Sequence, residues 1–297
     1  SFPRTKKFFN PTRIGLPNSF TQQGRLSTPL KERSKRKGLI IMFEAVNITR
    51  ISQGKAENLD DLTASEAPFT ININKTELAT LLASPSDLKE LAIGFLYTAG
   101  IIKSISDVEN IVLDTSIGKA YIELKEKKLD ENLIFKRLFT SGCGRGVIFY
   151  NSLDLLHRKK IDSNFNISSE KIFELMQVLQ EKSAGFKKTG GVHSAALSDA
   201  KDIFIFKEDI GRHNAVDKVI GEALIKKINF QNSLILSSGR VSSEIVLKIK
   251  KAAIPIIVSQ SAPTNQAVKL AREFGLTVIG FVRGRRMNIY SGDERVL

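Results

Sequence analysis

The only cysteine of the chain, Cys143, stands in Thr140-Ser141-Gly142-Cys143-Gly144-Arg145-Gly146. Glycines on both sides permit unusual backbone angles and leave the small side chain open to reaction. Arg145, two residues on, favours the thiolate, which is the nucleophilic and sulfur-accepting form. A lone cysteine is commonly a small buried hydrophobe, but glycines and a cation rarely surround a core position. Three later segments run from the end of a predicted strand into the start of a predicted helix. They are Glu208-Asp209-Ile210-Gly211-Arg212-His213-Asn214, Ser237-Ser238-Gly239-Arg240-Val241-Ser242 and Ser259-Gln260-Ser261-Ala262-Pro263-Thr264. Asn214, with Asp217 three positions on, reads as an N-cap of its helix. Free N–H groups at helix starts favour anions, and Arg212 and Arg240 carry fork-shaped donors suited to phosphate. Any one of these segments alone is an ordinary capped connection. Three together, two of them with Gly-Arg, point to a phosphorylated ligand.

Thr189-Gly190-Gly191-Val192-His193-Ser194-Ala195 reads as a further glycine turn opening a helix. His193 is there a candidate proton donor or ligand partner, although a lone histidine is more often structural. Phe281-Val282-Arg283-Gly284-Arg285-Arg286 puts three guanidiniums in four residues at a strand end. Either it is a solvated basic hairpin, or an anion offsets the repulsion between like charges held so close. The second reading assigns it phosphate or pyrophosphate.

The elements that must position these residues are legible in the apolar pattern. Residues 43 to 125 mix short β-rich runs, such as Phe69 to Ile73 and Lys119 to Leu124, with one helix that has Asp87 as predicted N-cap and Glu90 three positions later. Its apolar face is Leu88, Leu91, Ala92, Phe95 and Leu96, and Gly100 stops it. A second helix is predicted from about Ser168 to Lys182. From Asp202 on, strands and helices alternate: Ile203 to Phe206, the stripe Val216 to Leu224, Ser233 to Ser237, Ile245 to Ala253, Ile256 to Ser259, Ala267 to Phe274, Leu276 to Val282 and Met287 to Tyr290. Such alternation with short loops predicts an α/β domain on a largely parallel sheet. The division expected is a disordered extension over 1–41, a smaller α+β lobe over 42–160 that carries the Cys143 loop, and an α/β ligand-binding domain over 161–297.

Composition bounds the function. The 297 residues are 42% hydrophobic and 26% charged, with net charge +14, as in a globular protein. No apolar run reaches the roughly 18 residues that span a bilayer, so no membrane partner is expected. A single cysteine excludes an internal disulfide framework and a multi-cysteine zinc cage, which makes the reducing cytoplasm the natural compartment. Ten Lys or Arg against Glu32 give the first 41 residues +9 of the +14, leaving +5 for the rest. Specific nucleic-acid binding is therefore not expected, since most excess charge lies in a segment poor in apolar pattern. That segment is acid-poor like a transit peptide, but strand-like sequence directly after Met42 favours an extension upstream of the true start.

Taken together, the motifs resemble the FdhD family of formate dehydrogenase accessory sulfurtransferases over roughly residues 43 to 297. The likeness rests on Gly94-Phe95-Leu96-Tyr97 with Gly100-Ile101-Ile102, on Thr189-Gly190-Gly191-Val192-His193, on Glu208 through Lys218, and on Ser238-Gly239-Arg240. It implies a cytidine-deaminase-like three-layer α/β fold and a homodimer. It also implies sulfur transfer from a cysteine desulfurase to the molybdenum bis(molybdopterin guanine dinucleotide) cofactor of the formate dehydrogenase catalytic subunit. By position, Cys143 becomes the persulfide-bearing residue and Phe281 to Arg286 the cofactor-binding segment, with His193, Gly211, Arg212, His213, Ser238, Gly239 and Arg240 as the surrounding pocket. One departure matters: many members show Cys-x-x-Cys, where this chain has Cys143-Gly144-Arg145-Gly146, so any relay here uses a single thiol.

Two other readings compete. A zinc deaminase of the same fold would use His193 as a ligand, but the general acid/base Glu expected two residues later is Ala195 and the paired cysteines are missing. No zinc is expected. A non-covalent cofactor chaperone would bind molybdopterin and its enzyme without sulfur chemistry, and residue patterns leave that alternative open.

Overall fold

The structure is a computed structural model that describes residues 42–126 and 160–297. The expected extension over 1–41 and the Cys143 loop lie outside the described residues. The described residues belong to one compact unit.

The chain begins with a long antiparallel hairpin of β1 (Phe43–Ser52) and β2 (Lys55–Ala64). Gln53 and Gly54 turn it with φ of 51° and 76°, the positive pair that matches strand twist in a two-residue hairpin. Next come β3 (Ala67–Ile73), β4 (Thr76–Ala83), helix α1 (Leu88–Thr98), β5 (Val108–Asp114) and β6 (Lys119–Leu124). The last four strands form a sheet in the order β4-β3-β6-β5. Phe69, Ile71 and Ile73 alternate inward from β3 onto Leu91, Ile93, Phe95 and Leu96 of α1, one apolar core. Asp87 holds the N-cap position of α1 in a left-handed conformation and makes no capping bond. Its carboxylate is drawn instead to the Lys207 ammonium.

The larger part follows. It comprises α2 (Ser169–Lys182), α3 (Ala184–Thr189), β7 (His193–Ser198), β8 (Ile203–Asp209), α4 (Arg212–Ile225), β9 (Leu234–Ser237), α5 (Ser243–Lys251), β10 (Ile256–Ser259), α6 (Asn265–Phe274), β11 (Thr277–Arg283) and β12 (Arg286–Ser291). Six strands pair in the order β12-β11-β10-β9-β7-β8. Every residue of β9 and β10 is buried, as expected of strands covered on both faces. Alternate side chains go to opposite layers. Ala195, Leu197, Ile235, Ile257 and Val278 meet α4, α5 and α6, whereas Ala196, Leu234, Leu236, Ile256, Val258 and Ile279 meet α2. Ser168, Ser242 and Thr264 accept from the N–H groups of Lys171, Ile245 and Ala267 and so cap α2, α5 and α6.

The sheet corrects the largely parallel expectation. Only β9–β10 and β10–β11 pair in parallel, while β7–β8, β7–β9 and β11–β12 are antiparallel. A parallel neighbour requires a crossover, which α5 and α6 supply. The turns after Ser198 and Arg283 are too short to do so. Helix α4 also crosses over, from β8 to β9, but lands one strand away because β7 lies between them.

Helices α1 and α4 pack backbone to backbone. A Cβ on Gly94 would collide with the Asp217 carbonyl, and one on Gly221 with the Glu90 carbonyl. These glycines bring the smaller sheet and its helix against the larger one.

Candidate functional site

Four strands, β8 to β11, end at one edge of the large sheet, and the antiparallel β7 begins there. His193 therefore sits opposite Asp209, at the same edge as the three predicted strand-to-helix turns. Hydrogen bonds join these turns in sequence. The Ser238 N–H donates to Ser194 O at 3.0 Å, the Gln260 N–H to Ser237 O at 3.1 Å, the Ser259 hydroxyl to Gly239 O at 2.7 Å, and the Val241 N–H to Ala262 O at 3.1 Å. A bulge in β11 between Gly280 and Arg283, with Phe281 at φ 55°, turns the strand end away from β12. The Phe281 N–H then donates to Ser261 O at 3.1 Å, and Arg283 Nε lies 3.4 Å from Gln260 O.

At the centre, Gly239 leaves room for its neighbours. A Cβ there would fall 2.8 Å from Arg212 Cβ and 3.3 Å from His193 Nδ1. His193 Nδ1 lies 3.3 Å from the Ser238 hydroxyl, which also accepts from the Ser194 N–H. His213 Nε2 lies 3.2 Å from Ser242 Oγ and 3.3 Å from Glu244 Oε2. Burial draws both imidazoles down. His193 is lowered further by Arg212 and Arg240 against the pull of Asp209. His213 falls to about 3, with Lys248, Arg212 and His193 adding to the burial. These outweigh the nearby Glu244 carboxylate. Near neutral pH the two histidines are thus neutral hydrogen-bonding groups, and the arginines carry the positive charge.

Arg212, His213, Gly211, Ser238, Gly239, Arg240 and His193 are brought together, with Arg240 exposed. The Phe281–Arg286 segment is divided. Phe281 and Arg283 join the crevice, Val282 is buried in the core under α2, and Gly284, Arg285 and Arg286 are exposed at the hairpin. Arg285 lies toward the start of α2. There the Glu170 carboxyl is held below its usual range by backbone and Ser169 hydrogen bonds, with a smaller contribution from Arg285. Two expectations are corrected. Thr189-Gly190-Gly191 closes α3 and leads into a strand, with Gly190 at φ 65°. Asn214 is not the N-cap of α4, which starts at Arg212 after Gly211. The Asn214 amide instead donates to Leu82 O and Asp209 Oδ1.

Sequence reasoning missed the two acids that build the edge. Period-two alternation sends Glu208 and Asp209 to opposite sides of β8. Glu208 accepts from the Gly185 and Phe186 N–H groups at 2.9 and 3.0 Å, holding the start of α3. Asp209 accepts from Ser84 N–H at 3.1 Å and Gly211 N–H at 2.8 Å, and faces the fully buried Lys218 Nζ at 2.6 Å. The available signal was Lys218, a lysine within an apolar helical stripe, which needs a buried acid as partner. With the Asp209 carboxylate paired to Lys218, the charged side chains left at this edge are arginines, donors that fit a phosphorylated or otherwise anionic ligand. Cys143 lies outside the described residues.

A model of the FdhD/NarQ family matches residues 64–297. The chain belongs to the FdhD/NarQ family. Among curated FdhD relatives it is similar to the sulfur carrier protein of Bacillus subtilis, at 38% identity over 84% of this chain and 96% of the relative. The sulfur carrier protein FdhD of Bacillus pumilus is 40% identical over 84% of this chain and 95% of the relative. A crystal structure of a candidate formate dehydrogenase accessory protein from Desulfotalea psychrophila has the same fold, with TM-score 0.73 and 24% identity over 86% of this chain and all of that one. Of the segments that carry the resemblance, His193, Asp209 to Arg212 and Ser238 to Arg240 lie at the sheet edge, and Gly94 lies at the α1–α4 contact. Among the described residues no helix is long and apolar enough to cross a membrane.

Proposed function

We propose that this FdhD-family chain is a sulfur carrier that takes sulfur from a cysteine desulfurase onto Cys143 and delivers it to the molybdenum bis(molybdopterin guanine dinucleotide) cofactor of a formate dehydrogenase, working in the cytoplasm. The observation that carries the reading is the convergence of Arg212, Arg240 and Arg283 with His193 and Ser238 at one sheet edge, in a chain whose family relatives are sulfur carriers and whose only thiol falls within the matched span. Antiparallel β7 beside the carboxyl ends of its neighbours supports a cytidine-deaminase-like reading of the fold. Ala195 stands where a deaminase needs its Glu.

Loading is a thiol exchange without net redox change. The Cys143 thiolate attacks the outer sulfur of the donor persulfide, an S–S bond forms at Cys143 as the donor S–S bond breaks, and the donor leaves as thiolate. In delivery the outer sulfur departs from Cys143, which returns as thiolate. The recipient cofactor, the substrate here, supplies the two electrons that convert sulfane sulfur to sulfide. The arginines bind its phosphates, Gly239 lets Arg212 and His193 pack close against its turn, and the neutral imidazole of His193 is a proton-holding group beside them.

Incubation with a cysteine desulfurase and cysteine, followed by mass measurement of the tryptic peptide containing Cys143, should show the gain of one sulfur atom, reversed by reductant. Cys143→Ser should gain none and should fail to support formate dehydrogenase activity in cells. An unmodified wild-type peptide, or full activity with Cys143→Ser, would favour the non-covalent cofactor chaperone instead.

A further inference from the structure

His193 opens β7 at the edge where β8 to β11 end, and its surroundings constrain which ring nitrogen carries the proton. Nδ1 lies 3.3 Å from the Ser238 hydroxyl, which also accepts from the Ser194 N–H at 3.0 Å. Asp209, the cross-strand partner of His193, is already filled. Its Oδ1 accepts from the Gly211 N–H at 2.8 Å and the Asn214 amide at 2.9 Å. Its Oδ2 accepts from the Ser84 N–H at 3.1 Å and faces Lys218 Nζ at 2.6 Å. A carboxylate has about four acceptor sites, so none remains for the imidazole. Among the described residues, no hydrogen-bond partner stands at His193 Nε2.

The choice of tautomer therefore falls to Ser238. A serine hydroxyl has a single proton to give and lone pairs that accept. With the Ser194 N–H on the oxygen, the Ser238 proton can go to His193 Nδ1, and each group along Ser194, Ser238 and His193 is then paired. The other tautomer loads both the Ser194 N–H and an Nδ1–H on the same oxygen, and the hydroxyl proton then finds no acceptor among these groups. On the scale of a net hydrogen bond, the first arrangement is favoured by about tenfold. The guanidiniums agree with it, since Arg212 and Arg240 oppose a second proton on the ring.

We infer that Ser238 is a positioning residue whose hydroxyl donates to Nδ1 and so fixes the ring proton of His193 on Nε2, making the ring a hydrogen-bond donor to an anion held by Arg212 and Arg240. The inference rests on the reading of this edge as the site for the cofactor's phosphates. A phosphate oxygen accepts and so fits Nε2–H, whereas a proton on Nδ1 would turn a bare lone pair toward the anion. An ammonium or amide donor finds no acceptor on the ring. His193 thereby adds a contact beside the arginines without adding a further positive charge, which would repel theirs.

The test is a long-range 1H–15N correlation spectrum of the full-length chain, labelled at histidine, near neutral pH. The sequence has three histidines, His157, His193 and His213, and the signals missing from His193→Gln identify the ring. Nε2 couples strongly to both carbon-bound ring protons, Nδ1 only to the proton between the nitrogens, so the pattern tells them apart. Wild type should show His193 protonated at Nε2 and bare at Nδ1. In Ser238→Ala the Nδ1 signal should move toward the protonated position as the tautomers interconvert, and Ser238→Thr should bring it back. Sulfate, a phosphate stand-in that does not titrate here, should shift the wild-type Nε2 signal. By calorimetry its dissociation constant should rise about tenfold in His193→Leu and much less in His193→Gln, whose amide nitrogen reaches near the place of Nε2. A wild-type proton on Nδ1, an even mixture of tautomers, a Ser238→Ala spectrum identical to wild type, or an Nε2 signal unmoved by sulfate would overturn the inference. The wild-type spectrum decides even if a variant fails to fold. The predicted tautomer in a chain whose Cys143 gains no sulfur would count against the sulfur-carrier reading alone.

Discussion

At the residue scale, two neutral, half-buried histidines give the protein a directed sensitivity to acid. The folded-state value of His213 near 3 lies below the ordinary 6.5, so the unfolded chain binds the proton first. The associated stability is present above about pH 6.5 and is lost as pH falls toward 3. For His213 this is about 2 kcal/mol between neutrality and pH 5, and His193 shifts in the same direction. Urea midpoints at the two pH values should fall less in His213→Gln than in wild type; equal slopes would place the acid sensitivity elsewhere. The arginines and histidines of the crevice were legible in the sequence because their segments fall between a strand and a helix and carry glycine beside arginine. Asp209 and Glu208 were not, since their partners Ser84 and Gly185 are distant in the chain and spacing does not reveal such contacts.

At the element scale, the meeting of α1 and α4 depends on hydrogen where other residues have Cβ. Gly94→Ala or Gly221→Ala would drive a methyl group into a facing backbone carbonyl. Each should cost about 1–3 kcal/mol as overpacking does, lowering the melting temperature by about 2–4 °C per kcal/mol in a chain of this size. A scanning-calorimetry trace unchanged by both would mean that the helices can move apart freely. Strand and helix positions from Ile203 onward followed from the alternation of apolar runs, and the β10 boundaries at Ile256 and Ser259 agree with the pattern. Strand direction did not follow. Short turns after Ser198 and Arg283 produce hairpins, and turn length bears on direction more directly than hydrophobic pattern does. Asp87 and Asn214 were the right residue types near helix starts, but Lys207 and Asp209 engage them, and local propensity does not anticipate a tertiary partner.

At the scale of the whole molecule, a buried ion pair ties the two sheets' helices into one body. Lys248 of α5 donates to both Asp217 oxygens of α4, at 2.9 and 2.8 Å, and to Thr98 of α1 at 3.0 Å. Burial pushes the Asp217 carboxyl up, and Lys248 opposes that push. Asp217→Ala strands a cation in the interior and should cost about 3–5 kcal/mol in guanidinium unfolding, whereas Asp217→Leu with Lys248→Met should recover most of the loss. If the single and double variants lose the same stability, the pair is not what joins these helices.

The placement of β7 bears on inheritance as well as on shape. Its two neighbours, β8 and β9, both come later in the chain and are joined by an arch over β7 itself. Any recombination between relatives that breaks between residues 198 and 234 would therefore set a native β7 against at least one foreign neighbour. Exchanges outside that window leave the trio intact, so chimaeras joined there should keep His193 opposite Asp209.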